Sequence, residues 1–213
     1  MKFQDIKNNK NIYLYCGDLP IQRINFTKLN FIGLSLYQSN NYHINHDITK
    51  PFELYDNTVD IVQSEDVMEH IEFDNLTNII NDIYRILKVN GLFRLSLPDY
   101  RCDILDKRSL KNINGDIYFD AGGGGNYDYD NKKVINGGHL WFPKYEIVKK
   151  LLETTEFKNS KIDFLHYYDC DNNTNIKNID YSLGFIHRTP DNDERVKNPR
   201  RPMSIVVDCW KIK

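Results

Sequence analysis

The chain has 213 residues, 40% hydrophobic and 27% charged, with 28 Lys and Arg against 30 Asp and Glu for a formal net charge of −2. That length supports one hydrophobic core, so a single domain spanning 1–213 is the natural reading. The balanced charge argues against a dedicated nucleic-acid binder, and no apolar run approaches the roughly 20 residues that a membrane span requires.

The opening residues 1–7 contain no apolar h-region, which points to a cytoplasmic protein. Cys16, Cys102, Cys170 and Cys209 are far apart and form no Cys-x-x-Cys pair. They read as reduced thiols. No His/Cys/Asp group stands at metal-ligand spacing, so no metal site is expected. Oligomeric state has no signature in the pattern.

In chain order, residues 11–15, 29–34, 42–46, 59–63 and 92–97 are short apolar or alternating runs bounded by Gly, Pro, Asn and Asp, the signature of strands. Between the fourth and fifth runs, Leu76, Ile79, Ile80, Ile83, Ile86 and Leu87 recur at steps of three and four. That spacing predicts a helix with one buried stripe, with Asp74 as N-cap and Asn90-Gly91 supplying the left-handed stop. Strand, helix, strand is a βαβ unit, and such units build parallel sheets. From Asp99 to Phe142 the pattern breaks. Residues 104–110 read as a short helix, and Gly122-Gly123-Gly124-Gly125 with the polar, aromatic 126–130 reads as a mobile loop. A stretch of this kind inside a compact domain is usually functional or disordered. Pro143 opens a second helix, with Ile147, Val148, Leu151 and Leu152 as its stripe. Residues 161–168 and 203–210 are strands six and seven, with 169–178 a polar loop between.

Open parallel sheets bind ligands beyond the carboxyl ends of their strands. The residues to read are therefore Cys16, Gly17 and Asp18 after strand one, and Ser35 and Leu36 after strand two. Asp47 and Ile48 follow strand three, Ser64 to Ile71 strand four, and Asp99 strand five. Gly17 lets a backbone approach a ligand closely. Asp47 can accept from an exocyclic amine, although turn-forming is the commonest job of Asp before Thr-Lys-Pro.

Taken in order, these pieces resemble the class I, Rossmann-like S-adenosylmethionine-dependent methyltransferases, in their type 11-like branch. Residues 12–17 are similar to an "LNLGCG" opening, and 47–52 with 56–62 to "DLTKPLPFPDNSFDVV". Residues 64–71 are similar to "SSHVLEHL", 82–91 to "EIYRVLKPGG", 95–99 to "RISVPD", and 203–211 to a closing "SLVVEAWK". The resemblance implies a three-layer α/β/α sandwich around a seven-stranded, mostly parallel sheet with a reversed last strand. It also implies S-adenosylmethionine as cofactor. Cys16 and Gly17, with Asp18 beside them, would cradle its methionine part. Ser35 and Leu36 would face the ribose, Asp47 and Ile48 the adenine, and Ser64 and Glu65 the floor near the sulfonium. Two departures stand out: few glycines in the first loop, and Ser35 where the family has an acid. A hydroxyl bonds more weakly than a carboxylate.

The acceptor implied is a sugar or other small-molecule hydroxyl. His70, Asp99 and His139 are then the candidate bases, and 99–142 is a lid that chooses the acceptor. Each has a plainer reading: His70 and Glu69 as cap or packing, Asp99 as a turn cap, and His139 with Trp141 as an anchor for the loop. Asp60 reads as structural. The run Arg195, Lys197, Arg200 and Arg201, with His187-Arg188, reads either as a grip for an anionic substrate or as a solvated loop. A degenerate member that serves as a binding module is the alternative. A dinucleotide binder is disfavoured because Gly-x-Gly-x-x-Gly is missing after strand one.

Overall fold

The computed structural model describes residues 1–20 and 27–213. After a short helix α1 (Phe3–Ile6), the strands β1 (Tyr13–Cys16), β2 (Phe31–Ser35), β3 (His43–Asn45) and β4 (Val59–Glu65) lead to helix α2 (Phe73–Ile86) and the long strand β5 (Leu87–Pro98). Helix α3 (Asp103–Arg108) and the short strands β6 (Ser109–Lys111), β7 (Ile117–Asp120), β8 (Asn126–Asp128) and β9 (Lys133–Ile135) follow. Helix α4 (Tyr145–Glu153) and strands β10 (Lys161–Tyr168), β11 (Thr174–Ile176) and β12 (Ser204–Trp210) complete the fold.

The main sheet has eight strands in the order β11-β10-β12-β5-β4-β1-β2-β3. Neighbours from β5 through β4, β1 and β2 to β3 are parallel, and β12 runs antiparallel to both β5 and β10. The reversed last strand is thus present. The count exceeds the expected seven because Thr174–Ile176, inside the expected polar loop, pairs with His166–Tyr168 as an edge strand. No helix is long and apolar enough to cross a membrane among the described residues.

One face of the sheet is covered by α2 and α4. Leu76, Ile79, Ile80, Ile83 and Ile86 of α2 are all buried and pack with Val148, Leu151 and Leu152 of α4 against Leu14, Val62, Phe93, Leu95 and Val207 of the sheet. Fully burying an aliphatic side chain contributes about 1.5–3 kcal/mol, so this stripe is a large share of the driving force. Ile147, expected in the stripe of α4, is partly exposed instead. Among the described residues the opposite face carries no helix of comparable length. It is covered by residues 179–186, where Ile179 and Ile186 pack on Val206, and Leu183 on the cluster of Tyr15, Phe31, Ile61 and Leu92.

The ends of α2 differ from the expected ones. Its N-cap is Glu72, with Asp74 in the first turn, where a carboxylate suits the positive end of the helix dipole. It ends at Ile86, where Leu87 turns extended to begin β5, and Lys211 reaches in from past β12 to donate to the carbonyls of Tyr84 (2.8 Å) and Leu87 (2.9 Å). Those groups have no partner within the helix. Asn90, at φ 65°, turns the chain later. Asp60 is structural: it accepts from the Ile12 amide and pairs with Lys88 at 2.8 Å. Within 99–142 the expected short helix is present as α3, while the stretch expected as a mobile loop from Gly122 to Asp130 is part of a hairpin, β8–β9, that follows a second hairpin, β6–β7.

Candidate active site

A cavity of about 520 Å³ opens at the carboxyl ends of the parallel strands, and Gly17, Leu36, Asp47, Asp66 and His70 are among its walls. The first four are supplied by the turns that leave β1, β2, β3 and β4 in succession. Gly17 has φ +97°, and a Cβ there would lie 3.1 Å from Val67 Cγ2. Only glycine takes that backbone without strain, and its bare surface is part of the cavity wall. Its amide donates to Leu34 O at 2.9 Å, which fixes the turn. Asp47 Oδ1 accepts from the Thr49 amide at 2.9 Å and from its hydroxyl at 2.8 Å. The amide hydrogen bond holds the Asp47 carboxyl below the usual range, so it faces the cavity ionised.

Of the expected cofactor residues, Gly17, Leu36, Asp47 and Ile48 therefore meet at one cavity. The others lie elsewhere. Cys16 is fully buried in the helix-covered core, and burial pushes its thiol up to about 12. Asp18 is exposed and is not part of the wall. Ser35 is buried, and its hydroxyl accepts from the amides of Tyr37 (3.0 Å) and Gln38 (2.9 Å). It closes the turn after β2 and leaves that strand end without a carboxylate. Ser64 is buried, and Glu65 points to the opposite face of the sheet, where Oε1 accepts from the His187 amide at 2.7 Å. The floor they were expected to form is made by Asp66 and Val67. A strand's alternation sends Glu65 to the far face, and Asp66 then turns the chain with φ 55°.

The three candidate bases also separate. His70 lines the cavity with its side chain one-third exposed (33%). Asp99 is fully buried and accepts from the amides of Arg101 (3.0 Å) and Tyr168 (2.9 Å); burial raises its carboxyl to about 6. It fixes the end of β5 and does not reach the cavity. His139 is buried behind His70, the two rings meeting edge-on with centroids 4.6 Å apart. Burial first, and the neighbouring His70 next, lower His139 to about 3, so its ring is neutral.

Around His139 the fold gathers groups that the sequence reading did not connect. Tyr100 donates to Asp120 Oδ2 at 2.6 Å and contacts His139 Nδ1. Arg108 also donates to Asp120 Oδ2 at 2.6 Å. Burial raises the Asp120 carboxyl, but the hydrogen bonds from Arg108 and Tyr100 outweigh it and leave Asp120 below its usual range. On the other side of the ring, Nε2 lies 3.6 Å from Glu69 Oε1, and Nε2 of His70 lies 4.0 Å from the same oxygen. Glu69 is fully buried, and neither carboxylate oxygen has a hydrogen-bond partner among the described residues. Burial, followed by repulsion from Asp66, raises it well above the carboxylate range. Glu69, His70 and His139 come from two places far apart in the chain, so no spacing rule applied to the sequence could join them.

Residues 137–141 are pinned across this cluster. His70 Nδ1 bonds Gly137 O at 2.9 Å, the Leu140 amide donates to Glu69 O at 2.8 Å, and Trp141 Nε1 donates to Met68 O at 2.9 Å. Trp141 is thus the anchor that one reading of the His-x-Trp pair foresaw. The basic run is neutralised internally: Arg188 pairs with Asp66, Arg195 with Asp193, Lys197 with Glu194, Arg200 with Asp191 and Arg201 with Asp103.

Residues 27–95, which run from before β2 into β5, match the family model described as a methyltransferase domain. No curated protein matches the chain. Among solved structures it is similar to a SAM-dependent methyltransferase from Archaeoglobus fulgidus, with TM-score 0.51 and 14% identity over 98% of this chain and 90% of that one. It is similar also to S-adenosylmethionine-dependent methyltransferases from Clostridium acetobutylicum (TM-score 0.51, 14% identity, 99% and 87% covered) and Mesorhizobium loti (TM-score 0.51, 13% identity, 93% and 90% covered).

Proposed function

We propose that this chain, which has the class I methyltransferase fold and a methyltransferase-domain segment at 27–95, is an S-adenosylmethionine-dependent methyltransferase acting on the hydroxyl of a sugar or other small molecule. The observation that carries the reading is the cavity in which Gly17, Leu36, Asp47 and Ile48 meet at the ends of successive parallel strands. When bound, S-adenosylmethionine supplies an electrophilic methyl carbon on its sulfonium. The chain's part is to bind, orient and exclude water, which is catalysis by proximity.

Gly17 gives a backbone surface against which the methionine part can lie. Asp47, ionised, is the acceptor for the exocyclic amine of adenine, with Ile48 as its apolar neighbour. Ribose recognition falls to Leu36 and Tyr37, which line the cavity beside Ser35. A ribose held without a carboxylate is bound more weakly. On the acceptor side, residues 99–142 act as the cover, since Gly137 and Leu140 complete the cavity wall. His70 is the base within reach of an acceptor hydroxyl, oriented by its bond to Gly137 O.

Isothermal titration with S-adenosylhomocysteine tests this reading. Wild type should bind one equivalent, and Gly17→Val should abolish binding while the protein still melts cooperatively. No heat from a well-folded wild type would hand the fold to the alternative, a binding module without catalysis.

A further inference from the structure

The three groups Glu69, His70 and His139 each offer a ligand atom, and these atoms lie within 4.8 Å of one another. Which protons they carry follows from their other bonds. Gly137 O can only accept, so His70 Nδ1 donates to it. Tyr100 gives its single proton to Asp120, so its oxygen accepts from His139 Nδ1. In neutral rings both Nε2 atoms therefore carry lone pairs, and both face Glu69 Oε1, at 4.0 and 3.6 Å. In that state three acceptors converge, with no donor side chain between them among the described residues. The Glu69 carboxylate is fully buried, and neither oxygen has a hydrogen-bond partner among the described residues, which is costly unless something satisfies it. A single proton on Glu69 could serve one imidazole and would leave the other facing an oxygen.

We propose that Glu69, His70 and His139 form a binding site for one divalent first-row transition cation at the acceptor end of the cavity. Two imidazole nitrogens and one carboxylate oxygen are a donor set for ions of this kind, and three protein ligands leave coordination positions open. The outer arrangement is that of a ligated histidine, whose second ring nitrogen donates to a carbonyl or to a group held by a carboxylate. His70 uses Gly137 O, and His139 uses Tyr100, itself held by Asp120 and Arg108. The present separations exceed the roughly 3–3.5 Å between adjacent ligands of a bound ion, so binding draws the three side chains together. The charged neighbours are the carboxylates of Glu65, Asp66 and Asp120 and the guanidiniums of Arg108 and Arg188. With Glu69 they leave an excess negative charge for the cation. His70 lies on the cavity wall, so the ion's open positions face the cavity, where water or an acceptor oxygen completes the shell.

The site shares His70 with the proposed acceptor chemistry, and an ion on its Nε2 would take the lone pair otherwise available as base. It uses none of the cofactor residues, and its test needs no cofactor. The probe is Co²⁺ alone, added to the full chain without a tag after dialysis against chelator. A visible ligand-field band that saturates at one equivalent, with a rise in melting midpoint, is the expected result. Glu69→Gln and His70→Ala should each weaken Co²⁺ binding at least tenfold. Tyr100→Phe, which removes the acceptor for His139 Nδ1–H, should weaken it about 10–100-fold. Melting of the metal-free variants checks the fold, and His70, being partly exposed, carries the test if Glu69→Gln does not fold. No band and no shift in a cooperatively melting wild type overturns the proposal and leaves Glu69 as a buried protonated carboxyl. Undiminished affinity in both Glu69→Gln and His70→Ala also overturns it, because the ion then sits elsewhere. Titration with S-adenosylhomocysteine is a separate measurement, so failure of either reading leaves the other standing.

Discussion

The two faces of the central sheet are held by different chemistry. Under α2 and α4 the contacts are between apolar side chains, mostly aliphatic with Phe93 and Phe157 among them. On the far face a row of buried polar side chains grips the backbone of the strap 180–188. Arg94 donates to Asp180 O and Gly184 O and forms a bidentate pair with Asp208, all at 2.8 Å. Gln63 donates to Phe185 O at 2.6 Å, and Glu65 accepts from the His187 amide. A helix satisfies its own backbone groups, so it needs only an apolar seat. An irregular strap does not, so the sheet beneath it must supply donors and acceptors. The polar residues in the middle of β4, β5 and β12 are the cost of covering a sheet with loop.

Four single substitutions and one double variant test that contrast. The largest effect is expected on the strap face. Arg94→Met leaves the Asp208 carboxylate buried and alone and should cost about 3–5 kcal/mol in urea unfolding, with Arg94→Met/Asp208→Leu recovering much of it. On the helix face, Ile80→Ala should cost about 2–5 kcal/mol through the cavity it leaves, with no dependence on pH. Gly184→Ala places a Cβ 2.1 Å from Gln63 Oε1 at φ +151°, and displacement of the strap should cost about 1–3 kcal/mol. Faster proteolysis within 180–188 should accompany that loss.

The smallest effect is a pH profile. Burial, reinforced by Asp66, raises the Glu65 carboxyl from 4.5 to about 7. A raised carboxyl takes up a proton on folding. Its contribution is complete below pH 4.5 and is lost as the pH rises through about 7. Gln at this position keeps the acceptor and carries no charge. Glu65→Gln should flatten the stability profile across that window and gain on the order of 1 kcal/mol at pH 8. A wild-type profile that does not fall between those limits would mean that the strap opens to admit water.

The same contrast governs what could be read from the sequence. The helix face was legible because a buried stripe repeats at 3.6 residues, and Leu76, Ile79, Ile80, Ile83 and Ile86 carry that period. The mostly parallel sheet with its reversed last strand followed from the resemblance, and the cavity residues Gly17, Leu36, Asp47 and Ile48 followed from their positions just past strand ends. The strap face was not legible, because Gln63, Glu65, Arg94 and Asp208 partner segments far away in the chain. Glu65 was read as cavity floor for that reason; only strand alternation, counted to the end of β4, places it on the other side. Ser35 shows the same limit, since its hydroxyl serves the amides of Tyr37 and Gln38 within its own turn. The cluster of Glu69, His70 and His139 with Tyr100 and Asp120 joins four stretches of chain, and only the folded hairpins of 109–135 bring the last of them near.

The position of β12 has a consequence for how the chain assembles during synthesis. β12 lies between β5 and β10, and β10 touches the rest of the sheet only through it. Strands β1 to β5 with α2 can pair as soon as they have been made, since each finds its neighbour among earlier residues. β10 and β11 cannot. A nascent chain grown through residue 200 holds them as a hairpin beside an open β5 edge, and the sheet closes only when residues 204–210 slide into the gap. Unpaired edges of this kind are where chains associate wrongly. The interval between the synthesis of β5 and that of β12 is the period in which this protein is most exposed to aggregation.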